Sequence, residues 1–310
     1  MVALVYALLC LIWGSTWLAI KVGLVGVPPF LAAGLRFLLA AIIVGLVLAS
    51  RRRSIALTRD DKISVLSLGL LVFWLDYGLV YWAEVQISSG LTAVLFSTMP
   101  LMTALLSAFW MRSERLSVRK VAGILVGVAG TALLFWPHER VAAMPALGML
   151  SALTGCFCAA INLVLVKKHG QQSDPFVLNA FGMGVGAVCL LLTSAAIERW
   201  TAVVWTRSNV LAIVYLSLAG SIVAFSAYYY LIKRMDATIV SLNTLIIPIV
   251  ALALGRAFLR ETVTSTAILG IVTILAGVGI AILPPRFGRR RSIMVLKSTP
   301  VIAVSERQSL

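Results

Sequence analysis

This sequence has little with which to build a catalytic or metal centre. Its two histidines, His138 and His169, fall in separate loops, so neither a histidine relay nor a metal site is expected. The four cysteines, Cys10, Cys156, Cys158 and Cys189, all lie inside apolar segments, where they read as small buried hydrophobes and not as a disulfide frame. A phosphate-cradling G-x-x-x-x-G-K-[ST], an H-E-x-x-H and a G-x-S-x-G are all missing. No catalytic residue and no cofactor are therefore expected, and ATP-driven work would need a separate subunit. Charge is scarce as well, at 12% of residues, with 11 acidic against 26 basic side chains. The net charge of +15 would suggest nucleic acid in a soluble protein, but here the positive residues sit between hydrophobic runs, where they report orientation, and no nucleic-acid partner is expected.

What the chain has in abundance is apolar sequence, 61% of residues, gathered in runs about 20 residues long, the length a helix needs to cross a bilayer. Backbone groups facing lipid must pair within their own segment, so the runs must be helices. The expected class is an all-α integral membrane protein. Ten spans are predicted, at 2–24, 30–50, 63–83, 90–111, 118–136, 146–166, 175–197, 209–232, 238–259 and 265–283. The apolar N-terminus lacks a basic leader and a small-x-small cleavage site and runs on past Trp13 and Trp17, so it reads as the first span and not as a signal peptide.

The stretch from Tyr81 to Glu114 returns in altered form from Tyr229 to Glu261. Tyr81 and Tyr229 are 148 positions apart, as are Pro100 and Pro248, while Gly130 precedes Gly277 by 147. Pro29-Phe30 likewise answers Pro175-Phe176. A fixed offset near half the chain length marks an internal duplication. Five spans per half put the second copy into the membrane upside down, which predicts two inverted five-helix repeats, 1–140 and 141–285, around a central cavity near the midplane. Residues 286–310 form a basic tail, expected to be disordered with its arginines on anionic headgroups of the membrane lipids. One side of the membrane collects 19 Lys and Arg and the other 6, so the heavier side and both termini are expected in the cytoplasm.

Several residues then resemble the drug/metabolite transporter superfamily, specifically its EamA-type ten-helix members. They are Ile12-Trp13-Gly14-Ser15-Thr16-Trp17 in span one, Arg36-Phe37 in span two, Tyr81-Trp82-Ala83, Pro100, Glu114, Gly123 and Gly130 in the first half, and Tyr228 to Tyr230, Pro248, Arg260-Glu261, Gly270 and Gly277 in the second. The resemblance covers residues 2 to 283 and implies a secondary transporter of a bacterial inner membrane, exporting amino acids or similar small metabolites. The Trp-Gly-Ser signature has no clear copy in span six, where Cys156-Phe157-Cys158 stands, and Asp76 departs from the general pattern.

The residues themselves suggest where such a cargo would bind. Arg36 and Asp76 both lie roughly 10 Å deep in adjacent antiparallel spans at 1.5 Å per residue, and both are absent from the matching positions, Gly182 and Ala224, as a pair would be. Intramembrane charges are costly and usually functional. Arg36 could hold a cargo carboxylate through two hydrogen bonds, with Asp76 orienting it, receiving an ammonium or carrying a proton; a purely structural salt bridge is the alternative. Trp13, Ser15, Thr16, Trp17, Trp74, Tyr77, Trp82, Tyr228, Tyr229 and Asn243 would line an aromatic cavity with polar donors, with cavity favoured for Trp13, Trp74 and Tyr77, while Trp17 and Trp82, like Trp110, are also close enough to span ends to be interfacial residues. Pro100 and Pro248 read either as hinges exposing the carbonyls of Phe96 and Thr244 or as packing kinks. Gly123 and Gly127 form a small-xxx-small face for close helix approach, with a homodimer contact possible there. A second function class remains open: a membrane enzyme acting on a lipid or polyprenyl substrate, with Asp76 and Glu84 as acid/base candidates.

Overall fold

The computed structural model describes residues 1–50, 57–87, 89–111, 117–134, 146–170, 172–259 and 265–282. The expected tail, Glu114, the Arg260-Glu261 pair and the triple-arginine loop at Arg51 lie outside them. Every regular element among the described residues is helical. In chain order these are α1 (Val2–Gly23), α2 (Pro29–Ser50), α3 (Arg59–Gln86), α4 (Ser89–Phe96), α5 (Met99–Trp110), α6 (Val118–Leu134), α7 (Ala146–His169), α8 (Pro175–Ile197), α9 (Arg207–Ile232), α10 (Ala237–Ser241), α11 (Asn243–Leu259) and α12 (Ser265–Ile282). Seven helices, α4 and α5 counted as one, are long and apolar enough to cross a membrane. Predicted spans 118–136, 238–259 and 265–283 are helical over shorter stretches. Leu46, Leu147, Leu192, Leu211 and Val272 stand exposed on the outer surface, which suits hydrocarbon and not water. The protein is a multi-pass membrane protein.

α3 and α9 are built alike. Each opens with a reciprocal cap in which a threonine hydroxyl accepts from the backbone three residues on, and that residue's side chain accepts from the threonine N–H: Thr58 with Asp61 and Thr206 with Asn209. The two caps are 148 positions apart, the offset already read from the tyrosines and prolines. Each helix then passes through a π-helical stretch, Leu68–Asp76 in α3 and Leu218–Val223 in α9. Such stretches are rare and gather at functional sites, because i→i+5 pairing shifts the face of every residue beyond them.

The contacts between halves follow one rule. α1 lies along α9, with Trp13 at Gly220, Ser15 at Tyr215 and Gly23 at Ala212. α7 lies along α3, with Gly148 at Gln86, Ser151 at Leu79, Gly155 at Asp76 and Asn162 at Ser67. In both pairs one number rises as the other falls, so the helices are antiparallel. α2 and α8 also run antiparallel: Gly34 packs on Leu190 and Leu191, and at the start of α2 the N–H groups of Phe30 and Leu31 donate to the Glu198 carboxylate over 2.8 and 3.0 Å.

Glycines set the closest approach. A Cβ on Gly123 would lie 2.6 Å from the Gly277 carbonyl, and one on Gly130 would lie 2.9 Å from the Gly270 carbonyl. Only the missing side chains let the α6 and α12 backbones meet, again antiparallel. The Gly123/Gly127 face is thus filled by α12 of the same chain, and a second copy would need another surface.

Candidate functional site

A cavity partly open to the outside, about 880 Å³ of empty space with the solvent at its mouth included, lies where the halves meet. Its wall is drawn from α1, α3, α4 and α5 on one side and α7, α9 and α11 on the other. Of the predicted residues, Trp13, Thr16, Asp76, Tyr77, Tyr228, Asn243 and Pro248 line it.

The aromatic residues form a connected wall. Trp13 stands 5.4 Å from Phe225 and 5.1 Å from Tyr228, Tyr77 is 6.2 Å from Phe225, and Trp17 meets Phe96 edge-on at 6.0 Å, centroid to centroid. Trp17, open to either a cavity or an interfacial reading, lines the cavity. Trp74 does not: its indole donates to Thr193 Oγ1 on α8 over 3.0 Å. In an α-helix Trp74 and Tyr77 would share a face, but Trp74 lies inside the π-helical stretch, where that spacing fails. Ser15 also turns away, meeting the Tyr215 hydroxyl at 2.5 Å and the Ile12 carbonyl.

Arg36 and Asp76 are both buried, but no ion pair joins them. Arg36 is fully shielded and spends its donors elsewhere. Nε donates to Ser221 Oγ over 2.9 Å, Nη1 to the Tyr81 hydroxyl over 3.2 Å and Nη2 to the Gly220 carbonyl over 3.1 Å. Its guanidinium carbon lies 4.8 Å from the Tyr77 ring centroid and 4.9 Å from that of Phe37. The expected Arg36–Asp76 pair is not formed, because the π turn of α9 offers the arginine a carbonyl and a hydroxyl that the sequence pattern did not reveal. Asp76 closes the π-helical stretch of α3, lines the cavity, and has its Oδ1 buried without a hydrogen-bond partner against Gly155. Asn243 Nδ2 is likewise buried and unpartnered beside the cavity.

The prolines act differently from each other. Span four breaks at Ser97-Thr98, and Pro100 starts α5, where a missing N–H costs nothing. The Phe96 carbonyl is met by the Cys156 thiol at 3.8 Å. Pro248 sits inside α11, while the break in that segment falls earlier, at Leu242. Pro248 lines the cavity and Pro100 does not. Glu84 is buried on α3 but does not line the cavity with Asp76, so the two acids do not converge on one substrate there.

Cavity residues that sequence reasoning passed over include Phe225, Met99 and Ile247. They are ordinary apolar residues in apolar helices and carry no signal of their own. Asn162 both lines the cavity and accepts from Ser67 Oγ over 3.1 Å.

The lysine-rich end of the bundle is cross-linked by side chains. Lys167 Nζ donates to the carbonyls of Ile232 and Met235 over 2.6 and 2.7 Å. Lys233 donates to the Ser173 carbonyl, and Ser173 Oγ donates to Asp61. Lys120 bridges to Asp236 at 3.3 Å and His169 meets Asp60 at 2.9 Å. Partial burial lowers Lys233 from the usual lysine value, with neighbouring Asp174 and Asp61 opposing that shift. These links join the connections around α3, α6, α7, α8, α9 and α10. At the opposite end Ile20, Val80 and Ala93 continue the cavity wall.

Comparison with known proteins places this architecture. The profile of the EamA-like transporter family matches residues 1–136 and 146–283. The chain is 29% identical over 269 residues to the uncharacterized transporter YoaV of Bacillus subtilis, spanning 86% of this chain and 92% of that protein. It is 29% identical over 275 residues to the uncharacterized inner membrane transporter YedA of Escherichia coli K12, 87% of each chain. It is 28% identical over 279 residues to a probable amino-acid metabolite efflux pump of Salmonella typhimurium, covering 87% of this chain and 91% of the pump. A solved crystal structure superimposes with a TM-score of 0.76 at 22% identity, covering 91% of this chain and 98% of the other, which is a likeness of fold.

Proposed function

This chain belongs to the EamA-like transporter family, and from that premise we propose that it is a secondary carrier exporting small metabolites, amino acids and related compounds foremost, across a bacterial inner membrane by alternating access. The observation that carries the reading is the cavity at the junction of the halves, walled by helices of both. We read the ten segments as two inverted five-helix repeats, 1–140 and 141–285. In support, the counterpart helices α2 and α8 run antiparallel, as do α6 and α12, and the capped, π-interrupted α3 and α9 recur at a constant offset. With the lysine-rich side in the cytoplasm, the links among Lys167, Lys233, Ser173 and Asp61 close the inner end, while the wall continues outward through Ile20 and Val80. The described conformation is then outward-facing. Rocking of one repeat against the other would break those links and seal the outer end, with the segment breaks at Ser97-Thr98 and Leu242 and the interior Pro248 absorbing the change.

Counterflow in proteoliposomes tests the reading. Vesicles loaded with unlabelled cargo should show saturable uptake of the labelled form for at least one class among amino acids, amines and nucleosides. Failure of every class to exchange would sink it.

A further inference from the structure

We propose that the cavity selects organic cations over the zwitterionic amino acids put foremost above, and that Asp76 is their counter-ion, an inference that rests on the carrier reading but narrows its cargo. Among the described residues that line the cavity, Asp76 is the one with a formal charge. Its side chain is 5% exposed, and Oδ1 has no hydrogen-bond partner. A buried carboxylate without a partner is costly unless a cation or a proton meets it. The same wall carries the rings of Trp13, Tyr77, Phe225 and Tyr228, joined centroid to centroid at 5.1 to 6.2 Å, with Trp17 and Phe96, and of these Tyr77 and Tyr228 interact with Asp76. Aromatic faces carry negative quadrupole density and attract ammonium groups, so a carboxylate set among them forms a receptor for a quaternary ammonium or a protonated amine with an apolar body.

The same wall is poorly suited to a cargo carboxylate. Arg36 does not line the cavity, and its three nitrogens are engaged by Ser221, Tyr81 and Gly220. The Asn243 amide can donate to a carboxylate but brings no positive charge to neutralise it. An anionic or zwitterionic cargo would therefore bring a negative charge into a cavity whose charged wall residue is already negative.

A cation and a proton compete for the same carboxylate. Loading a protonated carrier follows Asp–COOH plus R₄N⁺ giving Asp–COO⁻·R₄N⁺ plus H⁺, one proton released for each cation bound. The titratable groups that face Asp76 are Tyr77 on its own helix, Tyr228 from α9, and Cys156 and Cys158 from α7, with the Arg36 guanidinium packed on Tyr77. None of these groups supplies a second acid to share the proton.

The test is counterflow of labelled benzyltrimethylammonium, a permanent cation with an aromatic body, against L-phenylalanine and phenylacetate, in proteoliposomes holding the full chain. The cation should exchange saturably, with its half-saturation concentration rising about tenfold per pH unit once acidification protonates Asp76. Asp76→Asn should weaken it about tenfold or more, the loss expected when a charged partner becomes neutral, while Asp76→Glu should keep exchange. Thermal unfolding reports whether Asp76→Asn folds, and the pH competition in the unmodified protein decides the matter if it does not. Exchange of phenylalanine or phenylacetate in preference to the cation, or cation exchange indifferent to both Asp76→Asn and pH, overturns the inference and leaves the carrier reading standing. Exchange by none of the three, nor by any amino acid or nucleoside, overturns both.

Discussion

Arg36 Nη2 reaches 3.1 Å across the junction of the two halves to the carbonyl of Gly220, in the π-helical stretch of α9. The same carbonyl accepts from the Trp13 indole over 3.3 Å. One backbone oxygen thus ties α1 and α2 to α9. A Cβ on Gly220 would lie 2.9 Å from the Thr16 methyl and 3.2 Å from Arg36 Nη2, so this approach needs glycine there. The arginine is a fastener between halves, placed behind the aromatic wall.

That placement separates stability from cargo binding. Arg36→Ala strands Ser221, Tyr81 and the Gly220 carbonyl, and the loss should be about 3 kcal/mol or more, since hydrogen bonds to charged groups contribute about 1.5–3 kcal/mol each. Arg36→Lys should fall between, because an ammonium cannot reproduce the planar fork. Thermal unfolding in detergent should show the drop, with cargo affinity of the folded fraction unchanged. A loss of affinity at undiminished stability would put Arg36 in the cargo site.

Gly277 and Gly279 sit on one helix with opposite surroundings. A Cβ on Gly277 would lie 2.4 Å from Gly127 N and 2.6 Å from the Gly123 carbonyl, whereas nothing comes within 4 Å at Gly279. Gly277→Ala should therefore cost about 1–3 kcal/mol, as overpacking against rigid backbone does. Gly279→Ala should change stability by less than about 1 kcal/mol. Equal midpoints for the two variants would show that α6 and α12 do not depend on that contact.

Glu198 caps a helix it does not belong to. Both its oxygens accept N–H groups at the start of α2, a position where backbone donors lack partners and negative charge is favoured. Glu198→Ala should lower stability by about 1–2 kcal/mol, the usual value of a cap. Glu198→Gln, which keeps an acceptor, should recover part of it. A chemical-denaturation series on the three proteins reads the order directly.

Breaking the inner ties should shift the population toward an inward-open form. Spin labels on cysteines at Lys168 and Arg234, both exposed at that end, would report the distance. In Lys233→Met or Asp61→Asn the distribution should move to longer values by electron double resonance. An unchanged distribution would mean that these links do not hold the inner end closed.

Much of this organisation was readable in advance because membrane insertion leaves little choice. A run of apolar residues must become a helix, and a constant offset between tyrosines, prolines and glycines exposes the duplication. The reciprocal caps at Thr58 and Thr206 carried the same offset and the same spacing, a signal present in the sequence but overlooked. The Pro29-Phe30 and Pro175-Phe176 matches mark two helix starts whose caps differ: the second is served by the adjacent Asp174, the first by Glu198 far along the chain. Adjacent residues can announce a local cap, but not one that arrives from another helix.

The sequence by itself determined the helical membrane class and part of the aromatic wall, since these follow from run length and residue chemistry, and its motifs carried the resemblance to the family. Only the tertiary structure decided which way Trp17, Trp74, Arg36 and Asp76 face. The physical reason is the π-helical stretch in α3 and its counterpart in α9. A change of hydrogen-bond register from i→i+4 to i→i+5 rotates the faces of the residues around it, turning Trp74 onto α8, presenting the Gly220 carbonyl to Arg36, and leaving Asp76 alone against the cavity.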